Sequence, residues 1–406
     1  MSMVASAGQH VFLVAGEESG DRLGAALMRA LKAQTGGLVR FSGVGGRHMA
    51  EEGLASLFPL GELAIMGFAA IPASLTKILR RIRQTAGAAV AARPDIVVII
   101  DSPEFTHRVA RRIRKRASKI PIVDYVCPSV WAWRPGRARA MRRYVDHVLA
   151  LLPFEPTVLR RLDGPPGSYV GHPLSERVGE LRPNAEETRR RESNPPLVLV
   201  LPGSRAGEIK RMQDVFGDTL ERVRAHVGEM EIVVPTVPHL AALAEAAVAG
   251  WRVPARVVAD PAQKNVAFRR ARVALTKSGT STLELAIAGV PMAAAYRVSA
   301  PEAMIGRLLI KAPSAILTNL ILGENVVPEF IQEDCTSERL AGALIPLFGD
   351  TPERRRQLAA FGRLDSVMEI GSLVSASDRA AAIVLQLASG LNQPRGEAVA
   401  PEAPKA

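Results

Sequence analysis

Two glycine- and serine-rich stretches, each placed after a run of aliphatic residues, carry side chains able to grip an anion. One is Pro202-Gly203-Ser204-Arg205-Ala206-Gly207-Glu208-Ile209, which follows Leu197–Leu201. The other is Lys277-Ser278-Gly279-Thr280-Ser281-Thr282, which follows Val273–Leu275. Arg205 offers a planar fork of donors suited to a phosphate. Ser278, Thr280 and Ser281 are capping types for the apolar-periodic helix that comes next, Gly279 lets backbone N–H groups approach closely, and a helix start favours an anion. Two such loops at the same edge of one sheet would converge on a diphosphate, and Glu284, one turn into the second helix, is then an acceptor for a ribose hydroxyl. Ordinary helix capping explains each loop taken alone, and the two readings stand level.

A third position is acidic. Asp95–Ile100 reads as a buried parallel strand and ends on Asp101-Ser102-Pro103-Glu104-Phe105. A carboxylate at the carboxyl end of a central strand faces the crevice of an open α/β sheet, where a general base belongs. The bland alternative is a helix cap, with Asp101 or Ser102 ahead of a proline in the first turn. Trp131 and Trp133, two of the three tryptophans, sit beside Arg134, Arg137 and Arg139. They either line a sugar or acyl site or seal a loop.

These groups need a scaffold, and the chain supplies one twice. Aliphatic runs at 11–15, 39–42, 95–100, 120–126, 145–151 and 167–170 alternate with helical patterns. The rhythm restarts at 197–201, 231–234, 256–259, 273–276 and 291–295. The fold class is therefore α/β, with two Rossmann-like domains facing across a cleft. The expected boundaries are 1–175 for the first domain, 176–196 for a polar linker and 197–372 for the second. A helix over 373–389 returns to the first domain, and 390–406 is a disordered tail. Ser19 or Asp21 caps the first helix, expected from about residue 22 to 34. Gly43-Val44-Gly45-Gly46 closes the second strand rather than the first, and no acid stands at the usual ribose position, which weakens a nicotinamide reading.

The 406 residues carry a net charge of +12 with 4% aromatics. That charge calls for an anionic partner, but the scarcity of aromatics and the lack of basic–aromatic interleaving argue against nucleic acid. The two cysteines, Cys127 and Cys335, match no metal or redox spacing and point to a reducing compartment. The first residues lack the charged region of a signal peptide, and no apolar run is long enough to span a bilayer. Over Leu60–Arg83, apolar residues including Met66, Phe68 and Leu75 lie beside Lys77, Arg80, Arg81 and Arg83. A basic amphipathic segment of this kind suits a membrane surface, although core packing of a Rossmann helix yields the same stripe.

Taken together, AGEESGD at 15–21, GVGG at 43–46, IDSPEF at 100–105, PSVWAWRPGR at 128–137, GHPL at 171–174, LPGSRAGEI at 201–209 and KSGTSTLE at 277–284 resemble the GT-B glycosyltransferases. With TNLILGE near Asn319 and QEDC ending at Cys335, the set is similar to the lipid-A-disaccharide synthase family, in family order over about residues 10–385. Thr318 stands where that family often has proline, a change to loop stiffness more than to chemistry.

The resemblance implies an inverting transfer joining UDP-2,3-diacylglucosamine to 2,3-diacylglucosamine 1-phosphate, giving the lipid A disaccharide 1-phosphate and UDP. It implies Asp101 as general base, with His172 as the alternative and His107 a weaker one. Arg205 stabilises the leaving group, and Ser204, Lys277, Ser278, Gly279, Thr280, Ser281 and Glu284 bind UDP. Glu17, Ser19, Trp131 and Asn319 contact substrate. No Asp-x-Asp pair occurs, so no metal and no cofactor is expected. The implied location is cytoplasmic, peripheral on the inner membrane's cytoplasmic face against anionic lipid, and the reading leaves room for a homo-oligomer. Competing readings are a GT-B transferase or epimerase using another UDP-GlcNAc-type substrate, and a non-catalytic membrane-surface binding module.

Overall fold

The computed structural model describes residues 8–64, 71–299, 302–304 and 312–390. Twelve strands form two sheets of six, and every pairing within them is parallel. The first sheet contains β1 (Gln9–Ala15), β2 (Val39–Val44), β3 (Ile96–Ile100), β4 (Ile122–Tyr125), β5 (His147–Ala150) and β6 (Gly167–Tyr169), in the order β2-β1-β3-β4-β5-β6. The second contains β7 (Leu197–Leu201), β8 (Glu231–Pro235), β9 (Arg256–Val258), β10 (Val273–Lys277), β11 (Met292–Tyr296) and β12 (Glu329–Ile331), in the order β12-β11-β10-β7-β8-β9.

Unbroken aliphatic runs form these strands because both faces are covered. Ile96–Ile100 and Leu197–Leu201 are buried at every position. Side chains alternate between the two covers. Phe12, Val14, Val97 and Ile99 pack with Phe105 and Val109, whereas Val11, Leu13, Val98 and Ile100 pack with Leu27, Met28 and Val384.

Strand order fixes where ligands can sit. In each sheet the order reverses at one point, between β1 and β3 in the first and between β7 and β10 in the second. Helices on either side of a reversal leave in opposite directions, opening a crevice at the carboxyl ends of those two strands. The segments 16–21 and 101–105 lie at the first reversal, and 202–208 and 277–284 at the second.

Three sequence expectations change. The charged stretch 176–196 is no simple linker. It contains short helices Val178–Leu181 and Ala185–Arg191, Leu181 is fully buried in the core of the second lobe, and Arg191 donates to the carbonyls of Phe268, Arg269, Ala288 and Gly289. Its arginines satisfy backbone oxygens, which is why a core element carries so much charge. Helix α1 (Glu18–Gln34) begins earlier than expected and has no side-chain cap. Asp21 instead accepts from the N–H groups of Gly46, His48 and Met49, capping helix α2 (Arg47–Glu51) and tying the AGEESGD stretch to GVGG. Third, the expected strands did not include β12.

Two further helices bear on the site, α3 (Ile71–Ala92) and α4 (Pro103–Arg116). Helix α5 (Ala206–Val227) follows β7, and α6 (Ser281–Ile287) follows β10. Helix α7 (Ala376–Ala388) crosses back to the first lobe, where Ala380, Ala381 and Val384 are fully buried against Leu27 and Met28. Of the expected surface segment, Met66, Phe68 and the side chain of Leu75 lie outside the described residues, as does the tail from residue 391. Among the described residues no helix is long and apolar enough to cross a membrane.

Candidate active site

At the first reversal, the turn after β3 holds two consecutive non-glycine residues in the left-handed region, Asp101 at φ 53° and Ser102 at φ 47°. Each costs of order 1–3 kcal/mol and persists only where its surroundings over-determine it. Here they do. The Asp101 N–H donates to Tyr125 O at 3.0 Å, and Thr106 Oγ1 donates to Asp101 O at 2.7 Å. Neither Asp101 nor Ser102 makes the cap bond of the bland reading. The Asp101 carboxylate instead accepts the Ser102 N–H on Oδ1 at 2.7 Å and the Ser19 hydroxyl on Oδ2 at 3.0 Å. Gly16 permits this arrangement, since a Cβ there would lie 2.4 Å from Ser102 Cβ. The carboxylate is half-buried and fixed at both oxygens, as a base with a set direction of attack should be.

The two histidines serve differently. His172 Nδ1 accepts the Leu174 N–H at 3.1 Å, so the neutral ring keeps its proton on Nε2 and has no free lone pair. Burial pushes its pKa down to about 4. Both features work against its use as the alternative base. His107 is buried, with Nδ1 3.1 Å from the Tyr144 hydroxyl and Nε2 3.0 Å from Asp124 Oδ2, which leaves neither nitrogen for substrate.

At the second reversal, a cavity of about 190 Å³ is lined by Gly203, Ser204, Glu208, Lys264, Lys277 and the run Ser278–Ser281. Gly203 sits at φ 131°, and a Cβ there would meet Glu208 Cβ at 2.5 Å, so only glycine closes this loop. Sequence reasoning missed the role of Glu208. It accepts the Ser204 N–H at 2.9 Å and contacts Lys277 at 3.1 Å and Arg205 at 3.4 Å. Burial alone would raise its carboxyl, but Lys277, the Ser204 N–H and Arg205 outweigh that and hold it below the usual range. The signal available was Glu208 three residues after Arg205 on a helix start.

The expected capping by Ser278, Thr280 and Ser281 is absent. Thr280 occupies the cap position of α6 without a side-chain bond, and the Ser278 hydroxyl donates to Ala315 O at 2.6 Å. Among the described residues the N–H groups of Gly279, Thr280 and Ser281 are left without an acceptor. Arg205 is mostly solvent-exposed, with its guanidinium 3.4 Å from Glu208. Glu284 lies one turn deeper, nearly buried, 3.4 Å from Lys264 and 3.5 Å from Arg177.

Asn319 requires correction as a substrate contact. It lies in the helix Leu317–Leu322, not in a loop, and is 2% exposed. Its carbonyl accepts the N–H groups of Val326 and Val327, and its amide donates to Val327 O. With its amide spent on the backbone, it ties the helix to the turn at Val326 and Val327 rather than reaching a ligand. Trp131 donates from Nε1 to Glu155 at 3.2 Å and stacks edge-on against Phe154. Both rings pack against a core cluster of the second lobe that also takes in Leu152 and Leu174. The loops after β4, β5 and β6 therefore meet the second lobe, which puts the carboxyl edge of the first sheet at the cleft. Glu17 and Ser19 are exposed at that edge.

Comparisons with known proteins agree with this architecture. Residues 11–374 match the family model described as lipid-A-disaccharide synthetase. The chain is 60% identical to lipid-A-disaccharide synthase from Nitrobacter hamburgensis, over 94% of this chain and 96% of that protein. It is 44% identical to the one from Ruegeria pomeroyi, over 84% and 86%. Two solved structures share the fold at low identity. MurG from Acinetobacter baumannii has a TM-score of 0.53 at 15% identity, covering 93% of this chain and 99% of that one. UDP-GlcNAc 2-epimerase from Neisseria meningitidis, solved with UDP-GlcNAc, has a TM-score of 0.58 at 12% identity, covering 93% and 100%. With its two parallel sheets and the matched motifs on the page, the chain belongs to the lipid-A-disaccharide synthase family.

Proposed function

We propose that the protein is an inverting glycosyltransferase that joins UDP-2,3-diacylglucosamine to 2,3-diacylglucosamine 1-phosphate, releasing UDP and the disaccharide 1-phosphate of lipid A. The observation that carries this reading is the cavity at the β7/β10 reversal, where Lys264, Lys277 and the Ser278–Ser281 run surround one space, three N–H groups of that run lack an acceptor among the described residues, and exposed Arg205 stands beside it on the loop after β7. That donor set fits a diphosphate leaving group. Across the cleft, Asp101 accepts the proton of the acceptor 6-hydroxyl as its oxygen attacks the anomeric carbon and the bond to UDP breaks. Lys277 and Arg205 offset the charge that builds on the departing diphosphate, exchanging Glu208 for it. Glu284 holds the ribose, and the cations do the work without a bound metal. The alternatives with another sugar acceptor, or with no catalysis, lack support from the family match. Transfer to lipid X from the diacylated donor, run beside UDP-GlcNAc, tests the assignment. Turnover with UDP-GlcNAc alone would refute it.

The acylated substrates place the enzyme peripherally on an anionic membrane, on the cytoplasmic side. The supporting cations are distributed differently from the sequence expectation. Lys77 and Arg81 both pair with Glu62, at 3.3 and 2.7 Å, which spends their charge. On the neighbouring α4, Arg112, Lys115 and Arg116 line one groove with Arg143, and none has a carboxylate partner among the described residues. Unpaired cations of this density favour an anionic lipid surface.

A further inference from the structure

Behind the Asp101 turn lies a buried polar chain that the transfer reaction does not directly use. Asp124, on β4, is 1% exposed and belongs to the strand beside Asp101, whose N–H is bonded to Tyr125 O. Its Oδ2 lies 3.0 Å from His107 Nε2, yet no aligned hydrogen-bond donor reaches that oxygen among the described residues. Nδ1 of His107 meets the Tyr144 hydroxyl at 3.1 Å, and Arg111 closes the chain by donating to the same hydroxyl at 3.2 Å. Tyr144 also stacks edge-on against His107 and under the Arg111 guanidinium. A fully buried carboxylate with so little hydrogen bonding is expensive, and a fold keeps one only where something offsets the cost.

The position of His107 shows what the chain does. It sits one turn into α4, the helix whose start is the strained Asp101-Ser102 turn, and the same turn is tied through Thr106 Oγ1 to Asp101 O. Holding His107 against β4 fixes the helix that carries that turn.

We propose that His107 and Asp124 are positioning residues for Asp101: their contact holds the α4 start against β4, and with it the left-handed turn that presents the Asp101 carboxylate. This rests on Asp101 being the base. Burial raises the proton affinity of Asp124.

The test is the kcat and donor KM of Asp124→Asn, together with a double-variant cycle against Asp101→Asn. Turnover falls at least tenfold while the donor KM, set by the other lobe, stays within about twofold. In the Asp101→Asn background, Asp124→Asn lowers the residual rate no further, because it acts through the missing carboxylate. A kcat within about twofold of the unmodified enzyme, or a loss that adds in full to that of Asp101→Asn, overturns the proposal. If Asp124→Asn does not fold, His107→Gln is read by the double-variant cycle and the KM-against-kcat split. Failure of both variants to fold assigns the pair to stability alone and overturns it as well. A wild-type rate in Asp101→Asn itself would instead sink the base assignment, which keeps the two failures apart.

Discussion

Lys277 and Glu208 are 69 positions apart in sequence, yet Lys277 Nζ lies 3.1 Å from Glu208 Oε1. The contact joins the end of β10 to the first turn of the helix after β7, across the point where the strand order of the second sheet reverses. It fixes the Lys277 ammonium at the wall of the cavity. On the proposed reading, a diphosphate entering the cavity would compete with Glu208 for Lys277 and for Arg205. Binding is therefore an exchange of one anion for another and does not leave two cations facing each other.

That exchange gives the first prediction. Arg205→Ala should lower kcat by about two to three orders of magnitude, the usual cost of losing a donor to developing charge. Arg205→Lys should restore little of it, because an ammonium cannot reproduce the two-pronged contact. Full rescue by lysine in a steady-state transfer assay would show that charge alone suffices.

Gly203→Ala tests the loop itself. A methyl group would stand 2.5 Å from Glu208 Cβ at a backbone angle that L-residues rarely adopt. Unfolding free energy should drop by about 1–3 kcal/mol, and the donor KM should rise while that of the acceptor holds. Denaturant melts and the two KM values check it, and equal effects on both substrates would contradict it.

A pH-dependent prediction concerns Glu155. Burial pushes its carboxyl from an ordinary 4.5 up to about 7, against the lowering effect of the Leu152 N–H and Trp131. The folded state then holds a proton that the unfolded chain gives up. The sign follows: this stabilisation is complete below pH 4.5 and lost as pH rises through 7. Glu155→Gln removes the ionisation and keeps one acceptor oxygen for the two donors, Trp131 and the Leu152 N–H. It should abolish a pH-dependent loss of stability of up to about 3 kcal/mol between pH 5 and pH 8, beside a pH-independent cost for the lost acceptor. Thermal melts showing the same offset at both pH values would refute the assignment.

For the membrane surface, replacing Arg112, Lys115, Arg116 and Arg143 together by Gln should weaken binding to vesicles containing anionic lipid by about 1 kcal/mol per charge at low salt. The difference should shrink as salt rises. Flotation unchanged by the four substitutions would move the contact elsewhere.

Much of this was readable in advance because it depends on local pattern. Buried parallel strands need continuous aliphatic sequence, and Ile96–Ile100 and Leu197–Leu201 supply it, which placed Asp101, Arg205 and Lys277 at strand ends. What escaped depends on partners distant in sequence. Nothing near Asp21 reveals that it caps α2, and nothing near Asn319 shows that its amide is consumed by Val326 and Val327. The arginines of 176–196 suggest a solvated join until Arg191 is seen among the carbonyls of the second lobe. Left-handed backbone at Asp101 and Ser102 leaves no mark in residue type, since neither is glycine.

The central claim is that a fixed carboxylate in the first lobe takes the acceptor's proton while the second lobe holds the nucleotide. The most direct measurement is the rate of disaccharide formation by Asp101→Asn with both acylated substrates saturating, alongside the affinity of the variant for UDP. A loss of about two to four orders of magnitude in rate, with UDP affinity unchanged, is the expected result. A rate close to that of the unmodified enzyme, with UDP still bound, would contradict it.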